Sequence, residues 1–475
     1  MSKQHFGKAL TGLSLALLLS GCALTADHQT LMAPDATALA RLAEEVQAPT
    51  AARETQADWW RTFNDAGLNA LVLDALQHNR DLQAAALRLD ASLARLDVSR
   101  DQLRPQGGLA GSADLARSQS TFTGLDVVRQ ESLSLGLAAS WQLDLFGRIR
   151  ARIRQAQAEL EEQDAARAQV LAEVVSGVVE THTRLAGTAR QLKLLERQLA
   201  SLEESLEVMR LRVEEGIATP LELNRTLALL HEYRARRPEL EEAQAGYLET
   251  LATLVGVTTH QLSQAYAAEL PAMDALTLQL PDPERALLDA PELRQAQARV
   301  NRAMALSDQA RTALYPEISF SGVLGWLSYS SLALGDLRED LEISPQLSWS
   351  LLNLSALKAS LSAAQLEERA VLAEYEQDLL QVLNRADRAV KAWAARGRLL
   401  VEQSSRQGFA VAAFDQARAR YEEGVLPYMD YLDAQRDLLD SEATLVEAQS
   451  AWLVSYVELQ RAFPGHWVPL LPEQG

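Results

Sequence analysis

Two periodicities alternate along this chain. Between Leu133 and Leu145 every odd position is apolar, while Ser132, Ser134, Gly136, Ala138, Ser140, Gln142 and Asp144 are small or polar. In an extended chain the two sets face opposite sides, so the stretch predicts a strand with one apolar and one polar face. Ile318, Phe320, Gly322, Leu324 and Trp326, then Leu341, Ile343, Pro345, Leu347, Trp349 and Leu351, repeat the alternation. Elsewhere the period is helical. Leu192, Leu195, Leu199, Leu202, Leu206, Met209 and Val213 fall at spacings of 3 and 4, as do Leu372, Tyr375, Leu379, Val382, Ala386, Ala389 and Trp393. A 3.5-residue period predicts a left-handed coiled coil. No proline interrupts Arg148 to Val213, so one helix of roughly 100 Å is expected there.

The order of elements occurs twice. Tyr315-Pro316 matches Arg104-Pro105 at an offset of 211, Trp349 matches Trp141 at 208, and Arg420-Tyr-Glu-Glu-Gly424 matches Arg212-Val-Glu-Glu-Gly216 at 208. A period this long marks two fused copies of a whole unit, since solenoids and propellers repeat every 20 to 50 residues. Each long helix is expected to stop at its Glu-Glu-Gly, where Gly216 and Gly424 admit the left-handed conformation. Pro220 and Pro427 then stand where a returning helix begins, a place that tolerates a missing amide donor. The reading is therefore repeat 1 over 58–256, with strands at 107–118 and 131–145 and a coiled-coil hairpin at 148–255. A connector over 257–289 leads to repeat 2 over 290–465, with strands at 317–330 and 340–353 and a hairpin at 355–463. A tail follows at 466–475. Leu68 through Leu103, with apolar residues three and four apart and no proline, reads as a helical hairpin arm.

The N-terminus changes the compartment. Residues 1–21 have a basic start (Lys3, Lys8) and a short apolar run, the form of a secretory signal too short to span a membrane. Leu19-Ser20-Gly21-Cys22 resembles the lipobox of bacterial lipoproteins, which implies that Cys22 becomes the first mature residue and carries N-acyl and S-diacylglycerol lipid. The alternative is an ordinary signal with a chance cysteine. Ala23 after the cysteine resembles outer-membrane sorting. A tether over 22–57, with a short helix at 35–46, leads to Trp59-Trp60 and the ordered body. Cys22 is the single cysteine, so no disulfide forms within the chain. The net charge of -19 argues against nucleic acid, whose phosphates call for Lys and Arg. The seven histidines and six methionines show no ligand or triad spacing, so neither an enzyme nor a metal or other cofactor is expected.

The apolar strand face needs a cover. A half-buried soluble sheet shows the same alternation, but here the strands are long, tryptophans (Trp141, Trp326, Trp349) stand near strand ends, and no globular sequence is left to cover them. Membrane-spanning strands of 9 to 11 residues with interfacial aromatics fit. Four strands cannot close a barrel, and an open edge in lipid leaves backbone groups unpaired. Two chains give eight strands and a filled interior, whereas three give twelve and leave an aqueous lumen. The fold class expected is thus an α+β membrane protein, a trimer-shared twelve-stranded β-barrel continued by a long α-helical coiled-coil barrel. The same residues carry a family resemblance. Cys22, Trp59-Trp60 with Phe63-Asn-Asp-Ala-Gly-Leu-Asn-Ala-Leu, Asp-Leu-Phe-Gly-Arg at 144–148, the two glycine turns and Tyr431-Leu-Asp-Ala-Gln-Arg436 resemble the TolC family of outer-membrane channels, in its efflux-lipoprotein branch.

That resemblance implies a homotrimer in outer-membrane lipid, a periplasmic adaptor (membrane fusion) protein and an inner-membrane pump of the RND type. It implies that Asp430 and Asp433, with Arg436 as charged partner, close the periplasmic tip, and that turns Gly216 to Thr219 and Gly424 to Pro427 meet the adaptor. Plain readings stand beside these. The aspartates lie in the first turns of a helix, where negative charge favours the dipole, and the turns are ordinary helix ends. After Trp349 the chain lacks the Gly-Gly-Arg often found at that junction in the family. The basic run Arg148 to Arg154 reads either as headgroup contacts or as a solvated face. A duct for type I protein secretion and a lipid-anchored coiled-coil scaffold without a pore remain as other functions.

Overall fold

A computed structural model describes residues 58–119, 127–265, 286–287, 289–328 and 338–464. The expected signal region, Cys22 with the lipid expected on it, the expected tether, most of the connector and the tail at 466–475 lie outside the described residues. The elements run in the order α1 (Ala66–His78), α2 (Arg80–Asp101), β1 (Gln106–Gln119), β2 (Val127–Leu143), α3 (Arg148–Glu214), α4 (Pro220–Val255), α5 (Thr259–Ala265), α6 (Pro291–Thr312), β3 (Glu317–Ser328), β4 (Arg338–Ser348), α7 (Leu354–Glu422) and α8 (Tyr428–Ala462). One 3-10 turn at Trp59–Phe63 precedes α1 and another at Leu351–Asn353 precedes α7. The chain divides into two compact units, and α2, α3, α6 and α7 contribute residues to each.

The first unit holds Arg88–Asp164 and Gln295–Glu376. Its strands form one antiparallel sheet in the order β1-β2-β3-β4. Register sets like beside like: Leu137 opposes Leu109 on one side and Leu324 on the other, and Leu324 opposes Leu341. This leucine row is 58 to 75% exposed, an uncovered apolar face. On the other face Ser112 and Ser134 share a hydroxyl contact of 2.9 Å. Gly136 and Gly325 also meet there, so closely that a Cβ on Gly325 would lie 2.5 Å from the Gly136 Cα. Only glycine at both positions lets β2 and β3 approach in this way.

The second unit holds the described residues up to Leu87, those between Ala165 and Arg294 and those from Gln377 onward. Trp59, Trp60 and Phe63 pack with α1, with Leu171 to Val179 of α3 and with Tyr456 of α8. A second cluster joins Leu379, Val382 and Ala386 of α7 to Leu293, Leu459 and Phe463. The heptad positions Leu195, Leu199, Leu202, Leu206 and Met209 form a third, with Leu229, Leu230 and Tyr233 of α4 and Tyr428, Leu432 and Leu439 of α8. Burial of alternate threes and fours is what a coiled-coil seam requires.

Three expectations need correction. The arm over 68–103 is broken at Asn79. Its side-chain carbonyl accepts the amides of Asp81 and Leu82, 2.9 and 3.0 Å, while its amide group donates to the Leu254 carbonyl, 2.8 Å, so capping ends one helix and starts the next without a proline. The fourth strand ends at Ser348 rather than 353; the alternation runs on to Leu351, but the backbone turns into the 3-10 segment and Leu352 is fully exposed. The second strand starts earlier, at Val127, and stops at Leu143, because Asp144 is used as a helix cap.

Candidate functional site: a strand face and two helical turns

At each exit from the sheet a tryptophan ties the strand to the helix that precedes the sheet. Trp141 Nε1 donates to the Leu103 carbonyl at 3.0 Å, and Trp349 Nε1 to the Leu314 carbonyl at 3.1 Å, so the repeat extends to individual hydrogen bonds. Both rings stay partly exposed, at 40 and 48%, with the indole N–H satisfied. Trp326 is also exposed on this face, opposite Leu135.

The Asp-Leu-Phe-Gly-Arg segment builds the junction after β2. Asp144 accepts the amides of Ile149 and Arg150 at 2.8 and 3.1 Å, Gly147 takes φ +81°, and Phe146 stacks on Tyr315 at 5.0 Å. The basic run is engaged within the unit. Arg148 pairs with Glu317, Arg150 with Asp144, Arg152 with Gln102 and Arg154 with Asp308. These arginines tie the helix start to the sheet and to α2 and α6, a role that neither reading of the run anticipated.

The two turns between long and returning helices share their backbone geometry. Gly216 and Gly424 take φ +68° and +74°. The Ile217 and Ala218 amides donate to the Arg212 carbonyl at 2.8 and 3.0 Å; the Val425 and Leu426 amides donate to the Arg420 carbonyl at 2.9 and 3.2 Å. This is a left-handed stop that satisfies orphan carbonyls. The helices then restart differently. Thr219 and Glu222 form a reciprocal capping box, the Thr219 amide donating to Glu222 Oε2 at 2.6 Å, whereas Pro427 supplies no side-chain cap.

Asp430, Asp433 and Arg436 are exposed at intervals of three on α8. Among the described residues neither aspartate makes an ion pair or a side-chain hydrogen bond, and Arg436 reaches Glu232 of α4 at 3.5 Å. Beneath them lies a constellation not expected from sequence. Tyr421, Tyr428 and Tyr431 cluster with centroid separations of 5.0 to 5.9 Å, Arg212 lies over the Tyr421 ring and bonds its hydroxyl, and Tyr428 shares a 2.6 Å hydrogen bond with Thr226. Burial pushes the Tyr428 phenol up to about 12. About two turns further, Asp440 accepts from Tyr233 at 2.9 Å and from Arg236 at 3.2 Å. Burial first, then this hydrogen bond, raises the Tyr233 phenol. The two returning helices are thereby clamped beside the free aspartates. The only sequence signal for the clamp was the tyrosine spacing around Gly424.

A sheet with an exposed apolar face and long helices closed by glycine turns agree with an outer-membrane channel subunit, the class to which the family match assigns the chain. The chain belongs to the outer membrane efflux protein family, whose model matches residues 71–257 and 283–464. This family is one of efflux ducts rather than enzymes. The toluene efflux pump outer membrane protein TtgC of Pseudomonas putida is 29% identical, over 98% of this chain and 96% of its own length. The antibiotic efflux pump outer membrane protein ArpC of Pseudomonas putida is also 29% identical, with the same coverage. Among solved structures, the outer-membrane channel OprN superposes with a TM-score of 0.85 at 29% identity, covering 94% of this chain and 100% of that one.

Proposed function

We propose that three copies of this chain form the outer-membrane exit duct of a tripartite pump that expels small molecules of the drug and organic-solvent kind. One observation carries the reading: a four-stranded sheet with one apolar face uncovered and both edge strands, β1 and β4, open to further pairing among the described residues. Strands of 14, 17, 12 and 11 residues are long enough to cross a bilayer. Lipid forbids open edges, and twelve strands from three chains enclose water where eight do not. The names of TtgC and ArpC, which specify toluene and antibiotic efflux, support the substrate class.

In this reading lipid on Cys22 adds an anchor, the turns at Gly216 to Thr219 and Gly424 to Pro427 receive a periplasmic adaptor, and an RND-type inner-membrane pump supplies the energy. Three copies of Asp430 and Asp433 ring the axis at the tip. Such rings attract cations and, with the ion pairs between returning helices, hold the duct narrow at rest. Deleting the gene is expected to raise cellular accumulation of a fluorescent apolar dye several-fold, and the plasmid-borne gene to reverse it. Unchanged dye accumulation together with loss of proteins from the medium would instead assign the duct to protein secretion.

A further inference from the structure

The two exits from the sheet share one hydrogen bond and differ in charge. At each, an indole donates to a carbonyl of the arm that precedes the sheet, Trp141 to Leu103 and Trp349 to Leu314. By the first bond stand Arg100 and Arg104, at and just past the end of α2, and Arg148 and Arg152, in the first turns of α3. Offsets of 211 and 208 carry these four onto Arg311, Tyr315, Ala356 and Ser360. The second corner makes the same tryptophan bond with one of the four arginines, so the junction is built without the other three.

Helix stability does not ask for them either. The start of a helix disfavours cations, yet α3 has no acidic residue in its first turn and carries arginines at 148, 150, 152 and 154. Its first free amides are already taken by Asp144. Arg148, Arg150 and Arg154 reach carboxylates. Arg152, partly exposed, meets only the neutral Gln102 side chain among the described residues, at 3.4 Å. Burial, then the neighbouring charge of Arg152, lowers the Arg148 guanidinium, a sign of positive charge in excess. Arg100 and Arg104 pair only with Asp97 and Asp101 of their own turns, each at 3.4 Å, and the Arg104 side chain is 81% exposed. Exposed pairs of this kind contribute little. The first corner has cations to spare.

The apolar face begins beside it. Trp141 lies on the same face of β2 as Leu137 and its leucine row, and its ring is partly exposed. An aromatic at the edge of an apolar band, with arginines just past it, suits a ligand that has both an acyl chain and a phosphate. We propose that this corner, with Arg104 and Arg152 as phosphate contacts and Trp141 beside the chain, holds an anionic phospholipid of the leaflet facing the periplasm, and that the second corner does not. The inference rests on the membrane-crossing sheet proposed above and goes beyond it by assigning a lipid class to one side of the repeat. Guanidinium groups match a phosphodiester in charge and geometry. The occupant is a lipid rather than a soluble anion because the leucine face offers its chains a place to lie.

Native mass spectrometry of the full-length protein, given equal amounts of phosphatidylglycerol and phosphatidylcholine in a non-ionic detergent, tests the corner. Wild type is expected to retain phosphatidylglycerol several-fold over phosphatidylcholine, and Arg104→Gln with Arg152→Gln to bring the two lipids level. Arg311→Gln with Lys358→Gln makes the same charge change at the second corner and is expected to keep the preference. Arg104→Gln alone, at an exposed side chain, is expected to show part of the loss and carries the test should the double variant not fold. Glycerol phosphate, the headgroup without acyl chains, is expected not to compete. Planar-bilayer conductance separates this claim from the duct. A conducting protein that holds both lipids equally, loses the preference equally in the two double variants, or yields it to glycerol phosphate overturns the lipid surface and leaves the duct standing. A protein that neither conducts nor prefers phosphatidylglycerol overturns both.

Discussion

The two hairpin turns stop their long helices with the same hydrogen bonds and start their returning helices with different ones. At the first, Thr219 and Glu222 cap each other, and Arg225 is drawn toward Met429 at 2.7 Å. At the second, Pro427 leaves the first turn without a side-chain cap, and Asp430 and Asp433, repeat counterparts of Glu222 and Arg225, stand free. Duplication alone would have kept the turns alike. The first hairpin commits Glu222 to its own end and turns Arg225 toward the second, while the second leaves two carboxylates without a side-chain partner among the described residues, and that difference is why the proposed constriction falls to the second.

Substitutions at the shared stop should be the most damaging. Gly216→Val and Gly424→Val force a β-branched residue into the left-handed region and are expected to cost about 1–3 kcal/mol each, measured as loss of thermal stability of the helical circular-dichroism signal. Equal losses confirm that the stops are equivalent; a neutral result at either breaks the equivalence. Thr219→Ala removes a cap present at one turn only and is expected to cost about 1 kcal/mol, whereas Pro427→Ala has no capping bond to lose.

Trp141→Phe and Trp349→Phe each delete one indole hydrogen bond and should cost about 0.5–1.5 kcal/mol, alike in both repeats. The smallest effect concerns pH. Burial pushes the Asp65 carboxyl up, but hydrogen bonds from His182 and from the Leu68 amide outweigh it and hold the group below its usual range. A lowered carboxylate stabilises the fold above the ordinary carboxylate range and stops doing so as pH falls through the lowered value. Asp65→Asn should therefore flatten part of the acid limb of a stability curve; an unchanged limb would assign that loss to other groups.

Much of this was legible in the chain because the relevant signals are periodic. Alternation at 133–145 and heptads at 192–213 report which face is buried or lipid-ready, and the glycines report where a helix must stop. The misses share a different cause. Asn79 breaks a helix through side-chain bonds, one of them to Leu254, which no local pattern records. The fourth strand ends before its alternation does, since apolar residues that are exposed anyway do not mark where the backbone leaves the sheet. The tyrosine cluster and the clamp on Asp440 unite residues about 200 positions apart. Asp430 and Asp433 were legible as charges, but that neither has a side-chain partner among the described residues required the fold.

Single-channel recording in planar bilayers bears most directly on the proposed duct and its constriction. Wild-type protein is expected to give small, cation-preferring conductances, Asp430→Ala with Asp433→Ala a several-fold larger conductance with weaker cation preference, and Glu222→Gln with Arg225→Gln values close to wild type. Equal effects from the two pairs, or no channel from any of the three proteins, would contradict a trimeric duct narrowed by the second hairpin.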